Sequence, residues 1–212
     1  MRLSGGGSGP LATLTDPAGH SMSLTMPFTL PSPQVSADTA LYASVLPGVD
    51  LSVTVTDQGG FSDVLIVHDA KAAADPRVRK LAVTTDTDGL ALAPTAAGGM
   101  TAKAPDGSLS YTSPPPLMWD SSTTATQTAS MKPASFVRAT AASASAPSAA
   151  ASSAAGPGPG AQVDQVPMTT TADSITLAPD ASVLDDPGTH YPVYIDPFEN
   201  PVPSKWLLSF RS

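Results

Sequence analysis

The sequence predicts an all-β fold: an antiparallel, sandwich-like domain with one short helix and a long disordered Ala/Ser/Pro linker. Three observations carry this. Glu199 is the single glutamate among 18 acidic residues, and aspartate favours turns and caps where glutamate is the better helix former. The chain holds Pro 23 and Gly 16 in 212 residues, so turns are frequent. Between those turns the apolar residues alternate in short runs, the period of a half-buried strand.

Residues 1–9, ending Ser4-Gly5-Gly6-Gly7-Ser8-Gly9, read as a flexible lead-in. Residues 10–120 form the first part of a β-rich domain. Leu11–Thr15 and Ser21–Met26 flank Asp16-Pro17-Ala18-Gly19-His20, with Met22, Leu24 and Met26 on one face. Thr39–Val45 leads through Pro47-Gly48 into Asp50–Thr56, where Leu51, Val53 and Val55 alternate with Ser52, Thr54 and Thr56. Asp57-Gln58-Gly59-Gly60 reads as a hairpin turn into Phe61–His68. Its Val64-Leu65-Ile66-Val67 centre is expected to be buried on both faces, so Ile66→Asp should unfold the domain.

Ala70–Lys80 is the one helix expected, N-capped by Asp69 and broken or restarted at Asp75-Pro76. Leu81–Thr85, Leu90–Ala93, Met100–Ala104 and Leu109–Thr112 follow, linked by Asp88-Gly89, Gly98-Gly99 and Asp106-Gly107. Glycine suits such hairpins because it accepts the positive φ of primed turns. Ser113-Pro114-Pro115-Pro116 should end the meander, since proline cannot donate to a central ladder.

Residues 121–162 change character, and Ala139–Gly160 is uncharged and of low complexity, as a disordered linker would be. Strands return in 163–197 as Val163–Met168, Ser174–Leu177 and Tyr191–Ile195. Three strands alone are marginal in water, so they are expected to complete the first domain. A flexible linker of this length spans roughly 35 Å, ample beside a radius of gyration of about 15 Å for a domain of this size. The tail 198–212 is apolar at Trp206, Leu207, Leu208 and Phe210. It reads either as an exposed sticky segment or as an extra strand docked on the domain.

Composition also excludes function classes. The chain has no cysteine, which removes thiolate metal sites, CxxC redox chemistry and cysteine nucleophiles. Its formal net charge of −8 argues against nucleic-acid and anionic-membrane partners. No window approaches the roughly 18 apolar residues of a membrane-crossing helix, and Met1–Leu14 lacks the apolar core of a secretory signal.

The glycine-rich opening lacks the Gly-Lys-Ser/Thr ending of a phosphate loop and the strand-before, helix-after setting of a dinucleotide site. His20, His68 and His190 fall beside turns or strand ends, without the close spacing of a zinc site, and read as surface histidines. Asp86-Thr87-Asp88-Gly89 resembles the start of a calcium loop but lacks the closing glutamate, which leaves a charged turn as the preferred reading and a structural Ca²⁺ as the alternative. Tyr111, Trp119 and Tyr194, with Tyr191 and Trp206 nearby in kind, are the candidates for a sugar-stacking platform, against core packing.

Four segments carry a family resemblance, YASVLPGVDLSVTV at Tyr42–Val55, GFSDVLIV at Gly60–Val67, PLMWD at Pro116–Asp120 and YPVYIDP at Tyr191–Pro197, and the opening SGGGSGPLA at Ser4–Ala12 resembles an internal stretch of the same module. Together they resemble a β-rich module of large secreted proteins of high-GC Gram-positive bacteria. Those proteins carry laminin-G-like (concanavalin-type jelly-roll) domains, DNRLRE-type β domains or RHS repeats. The resemblance covers about Leu3–Pro197, apart from the linker. It implies an extracellular or cell-wall-associated parent and neighbouring domains of that parent as partners, and it transfers no catalytic residue. The family's export signal and downstream domains are not matched, so the chain reads as a fragment.

The function expected from all this is a non-enzymatic structural or presentation module of a large secreted or surface protein, with no cofactor. One alternative is a polysaccharide-binding module for cell-wall or environmental glycan, using Tyr111, Trp119 and Tyr194. The other is a domain attached to a secreted hydrolase, with His68 or His190 beside an exposed aspartate and a serine.

Overall fold

A computed structural model describes residues 1–56, 60–123 and 151–197. Its strands in chain order begin with β1 (Arg2–Leu3), β2 (Ala12–Thr15), β3 (Ser21–Thr25), β4 (Gln34–Ser36), β5 (Thr39–Leu46), β6 (Val49–Val55) and β7 (Phe61–Val67). Helices α1 (Ala70–Ala73) and α2 (Pro76–Arg79) precede β8 (Leu81–Asp88), β9 (Ala91–Pro94), β10 (Met100–Lys103), β11 (Leu109–Ser113) and β12 (Leu117–Trp119). After the span 124–150 come β13 (Val163–Gln165), β14 (Met168–Thr170), β15 (Ser174–Leu177), α3 (Ala181–Leu184) and β16 (Val193–Asp196).

The fold is all-β, with every strand pair antiparallel. A six-stranded sheet has the order β1-β2-β3-β8-β15-β14, a seven-stranded sheet the order β13-β12-β16-β7-β6-β5-β4, and β11-β10-β9 form a small third sheet. The late strands return as expected. β15 pairs with β8 through Leu177↔Leu81 and Ile175↔Val83, and β16 sits between β7 and β12 through Ile195↔Leu65 and Ile195↔Met118. Both large sheets are therefore completed by residues that lie more than a hundred positions from the strands that start them.

Alternation decides what each strand buries. On β6 and β7, Leu51, Val53, Phe61, Leu65 and Val67 point into one core shared with Leu14, Met22 and Leu24 of the six-stranded sheet and Met100 and Tyr111 of the small one. The opposite face of β7 carries Val64 and Ile66, which pack with Trp119 and Tyr194 in a second cluster. The β7 centre is thus covered on both sides, as its continuous apolar run implies, although Ile66 is only half-buried.

Several elements differ from the sequence-based expectation. Residues 1–9 are docked and not a free lead-in: β1 pairs with β2, Gly7 and Leu30 exchange backbone hydrogen bonds at 2.7 and 2.9 Å, and the Tyr42 hydroxyl donates to the Ser4 carbonyl at 2.6 Å. Gly6 is needed there, because at φ +109° a Cβ would stand 3.0 Å from the Pro31 carbonyl oxygen. The expected Ala70–Lys80 helix is two single turns. Asp69 and Asp75 cap them in succession through the backbone N–H groups of Ala72 and Arg77, because Pro76 cannot continue α1 but is well placed to start α2.

Val163–Met168 is two strands instead of one. Val166, fully buried, and Pro167, which has no N–H, carry the chain from the seven-stranded to the six-stranded sheet. Asp88-Gly89 is likewise a passage between sheets and not a hairpin, while Gly98-Gly99 and Asp106-Gly107 do close hairpins. Of the expected linker 121–162, residues 124–150 lie outside the described residues, but 151–162 are placed against the seven-stranded sheet. The Asp57-Gln58-Gly59 turn and the tail 198–212 also lie outside them.

Candidate functional site

The aromatic candidates divide. Trp119 on β12 and Tyr194 on β16 stand directly opposite each other, and their rings stack with centroids 5.7 Å apart and planes 16° from parallel. They lie on the outer face of the seven-stranded sheet. Tyr111 sits in the main core, 2% exposed, and its hydroxyl has no hydrogen-bond partner among the described residues. Burial, helped by the charge of Asp16, raises that phenol to about 12. The trio expected as a sugar platform therefore does not assemble, because β11 turns Tyr111 toward the core.

The Trp119–Tyr194 pair is itself covered. Residues 151–160 cross it as a strap: Trp119 Nε1 donates to the Ser153 carbonyl at 3.2 Å, and the Tyr194 hydroxyl donates to the Ser152 carbonyl at 3.1 Å. A turn in which Ser153 and Gly156 exchange backbone hydrogen bonds and a Gly158 N–H to Ser152 Oγ bond hold the strap in shape. This is why the aromatic tips are polar: each buried ring needs a partner for its N–H or O–H.

Beside the strap lies a cavity of 280 Å³ whose lining includes Thr54, Thr56, Ser62, Trp119 and Asp196. The Ser62 hydroxyl donates to Asp196 Oδ2 at 3.4 Å. The lining is therefore hydroxyl-rich on the strand side and apolar on the strap side.

Asp120 holds the base of the 121–162 excursion. Its Oδ1 accepts the backbone N–H groups of Ser122 at 3.1 Å and Gln162 at 2.8 Å. Its Oδ2 accepts the Ser122 hydroxyl and the His190 N–H at 3.4 Å. Burial would raise this carboxyl, but the four hydrogen bonds outweigh it and lower it. Asp120 thus ties the start of the excursion, its end and the approach to β16 in one place. Asp120 ends the PLMWD segment, but the Gln162 and His190 N–H groups that it accepts lie 42 and 70 residues away, beyond any local signal.

The histidines are each accounted for. His20 Nδ1 meets Asp16 Oδ2 at 2.9 Å, and the Ser110 hydroxyl donates to the same oxygen at 2.9 Å. An acyl-transfer triad needs the serine proton on the imidazole. Here serine and histidine both use the carboxylate, so the cluster is an anchor between β2, β3 and β11. His68 Nε2 meets Asp50 Oδ2 at 2.7 Å, and the other oxygen of Asp50 accepts the N–H of Ser44 at 2.6 Å. That pair closes the β5–β6 hairpin, where Ser44 adopts φ 57°. His190 contributes only backbone groups to the Asp120 cluster.

Asp86 and Asp88 lie on β8, paired with Ser23 and Ser21 of β3. The segment that resembles a calcium-loop start, read from the sequence as a charged turn, is instead extended ladder as far as Asp88, which spreads its carboxylates along a strand and does not wrap them round an ion. Among the described residues no group of three histidine, aspartate or glutamate side chains is placed to hold a metal, and no helix is long and apolar enough to cross a membrane.

For Asp16, burial would raise the carboxyl, but hydrogen bonds from His20, Ser110 and the backbone N–H groups of His20 and Ala18 lower it to about 2. Its stabilising effect is present above the ordinary value of 3.8 and is lost as pH falls through about 2. Asp16→Asn should therefore cost about 1–3 kcal/mol at neutral pH, shrinking toward pH 2. Urea titrations at pH 7 and pH 2.5 check this.

No family model matches the chain, and no curated protein or solved structure matches it.

Proposed function

We propose that the chain is a non-enzymatic structural module that positions neighbouring domains of a larger secreted or wall-associated protein. The observation that supports this most is where the four family-like segments fall. Scattered from Tyr42 to Pro197 in sequence, they supply β5, β6, β7, β12 and β16, which are consecutive neighbours in the order β12-β16-β7-β6-β5. These four segments thus meet in one continuous sheet, while the fifth resembling stretch, Ser4–Ala12, runs between β1 and β2 of the six-stranded sheet; the shared feature this supports is architecture. β16 lies between two partners, so anything attached beyond it would pull on a strand held by two ladders.

Force spectroscopy on the chain held between reference domains tests this reading. A single cooperative rupture of the whole domain is expected; stepwise low-force loss of residues 151–197 before the rest would contradict it.

The cavity beside Trp119 favours a second reading, a glycan-binding module, because hydroxyls, one carboxylate and an aromatic edge are the groups that recognise sugar hydroxyls and C–H faces. Affinity electrophoresis through chitin, cellulose and peptidoglycan gels separates the two. The scaffold reading expects unchanged mobility. Retardation that Thr54→Trp abolishes by filling the cavity would favour the glycan reading.

A further inference from the structure

The strap 151–160 is a thin cover. None of its residues is buried, and of them Ala154 alone packs against the cluster of Val64, Trp119 and Tyr194. Ser153 and Gly156 bond each other within the strap. The side-chain hydrogen bonds that tie it to the sheet, among the described residues, are those of Trp119 and Tyr194 to the Ser153 and Ser152 carbonyls. Segments with so little buried surface open locally, well below the cost of global unfolding. The end of the strap is fixed, by contrast: Asp120 Oδ1 accepts the Gln162 N–H at 2.8 Å, and the Asp120 N–H donates to the Gln162 carbonyl at 3.1 Å. Gly160, at φ +91°, stands between strap and clamp, where a hinge has to absorb a backbone change.

We propose that this strap is a displaceable lid over a site for a neutral oligosaccharide, its Ser152 and Ser153 carbonyls standing where sugar oxygens sit in the bound state. The proposal rests on the glycan reading of the cavity and adds how that site is opened. Three observations select the occupant. Trp119 Nε1 and the Tyr194 hydroxyl both donate to the strap, so whatever replaces it has to bring acceptors, as sugar hydroxyl and ring oxygens do. The Asp196 carboxylate, 6% exposed, lines the cavity and accepts from hydroxyl donors. It is the one charge among the described lining residues, on a chain of net charge −8, which turns away acidic glycans. The volume also fits a closed state. At 280 Å³ the cavity falls just short of the roughly 300 Å³ at which ligand pockets begin. Residues 154–157 form its strap-side wall, so lifting the strap opens the cavity onto the Trp119–Tyr194 pair.

Two substitutions loosen the strap in the full-length protein without touching the sheet or the net charge. Gly156→Val forces a side chain onto φ +145°, where the new Cβ meets nothing within 4 Å, so the strain is in the strap turn alone. Ser152→Ala removes the acceptor of the Gly158 N–H. Both variants should keep the parent's urea transition, since no strap residue is in the core. Affinity electrophoresis through hydroxyethyl cellulose and glycol chitin, both neutral, reads the binding. Apparent affinity scales with the open fraction, so a loosened strap should tighten binding of one polymer at least about fivefold, and adding Thr54→Trp should abolish it. Equal retardation of parent and variants would overturn the lid while leaving the glycan reading in place. Weaker retardation of the variants would make the strap part of the binding surface and overturn the lid likewise. No retardation of any of them would overturn both.

Discussion

Leu65→Asp is expected to abolish folding: the variant should show no cooperative urea transition by far-UV circular dichroism. Leu65 is fully buried and lies at the centre of the longest run of paired strands, opposite Leu51 of β6 on one side and Ile195 of β16 on the other. A carboxylate there has no partner, and its burial costs several kcal/mol on top of the lost packing. That is a large share of the roughly 5–15 kcal/mol by which domains are stable. Ile66→Asp, which the sequence alone marks as equally disruptive, is expected to stay folded at a cost of about 1–3 kcal/mol. Ile66 points to the outer face, is half-buried, and stands opposite Asp50 and Tyr194. A parent-like transition for Leu65→Asp would remove β7 from the centre of the sheet.

Asp63→Asn should raise stability at neutral pH and flatten the pH profile. Asp63 is on the core face of β7, opposite Val53, fully buried, and among the described residues no side chain or neighbouring backbone group is a hydrogen-bond partner of either carboxylate oxygen. Burial, and secondarily the charge of Asp196, pushes its carboxyl well above the usual carboxylate range. A carboxyl with a raised folded-state value gives its full stability below the ordinary 3.8, and loses it as pH climbs through the folded value. Over that window the parent loses up to about 1.4 kcal/mol per pH unit relative to the asparagine variant, which does not titrate. Asparagine has nearly the shape of the protonated carboxyl, so the two proteins should converge near pH 3.5 and diverge above it. Thermal melts at pH 3.5, 5.5 and 7.5 check the sign, and a variant less stable at pH 7.5 would show that the carboxylate is satisfied there.

The fold was largely legible where burial is one-sided. β2, β3, β5, β6 and β8 alternate, and Pro47-Gly48, Gly98-Gly99 and Asp106-Gly107 mark their own turns. Legibility failed where pairing depends on distant chain. β1 and β4 are too short or too polar to show a period, and β12 follows three prolines that read as an ending. The Val163–Met168 run shows extended chain but not that Val166-Pro167 switches sheets. The site fared similarly. Trp119 and Tyr194 were recognisable as a pair of aromatics on strands, yet their stacking depends on the β12–β16 register and their cover on residues 151–160, whose composition says only that they are small. The Asp16–Ser110 bond spans 94 residues, and Asp120 looks like any strand-end aspartate until its partners are in place.

The claim on which the rest depends is that residues 163–197 complete sheets begun by residues 2–119. Its most direct measurement places a specific protease site between residues 124 and 150, cuts the folded protein there, and passes it through gel filtration at about 1 μM. The two pieces should co-elute with the uncut chain, keep its far-UV spectrum, and separate only in denaturant. Separation in buffer, with the 1–123 piece still folded, would contradict the shared-sheet architecture.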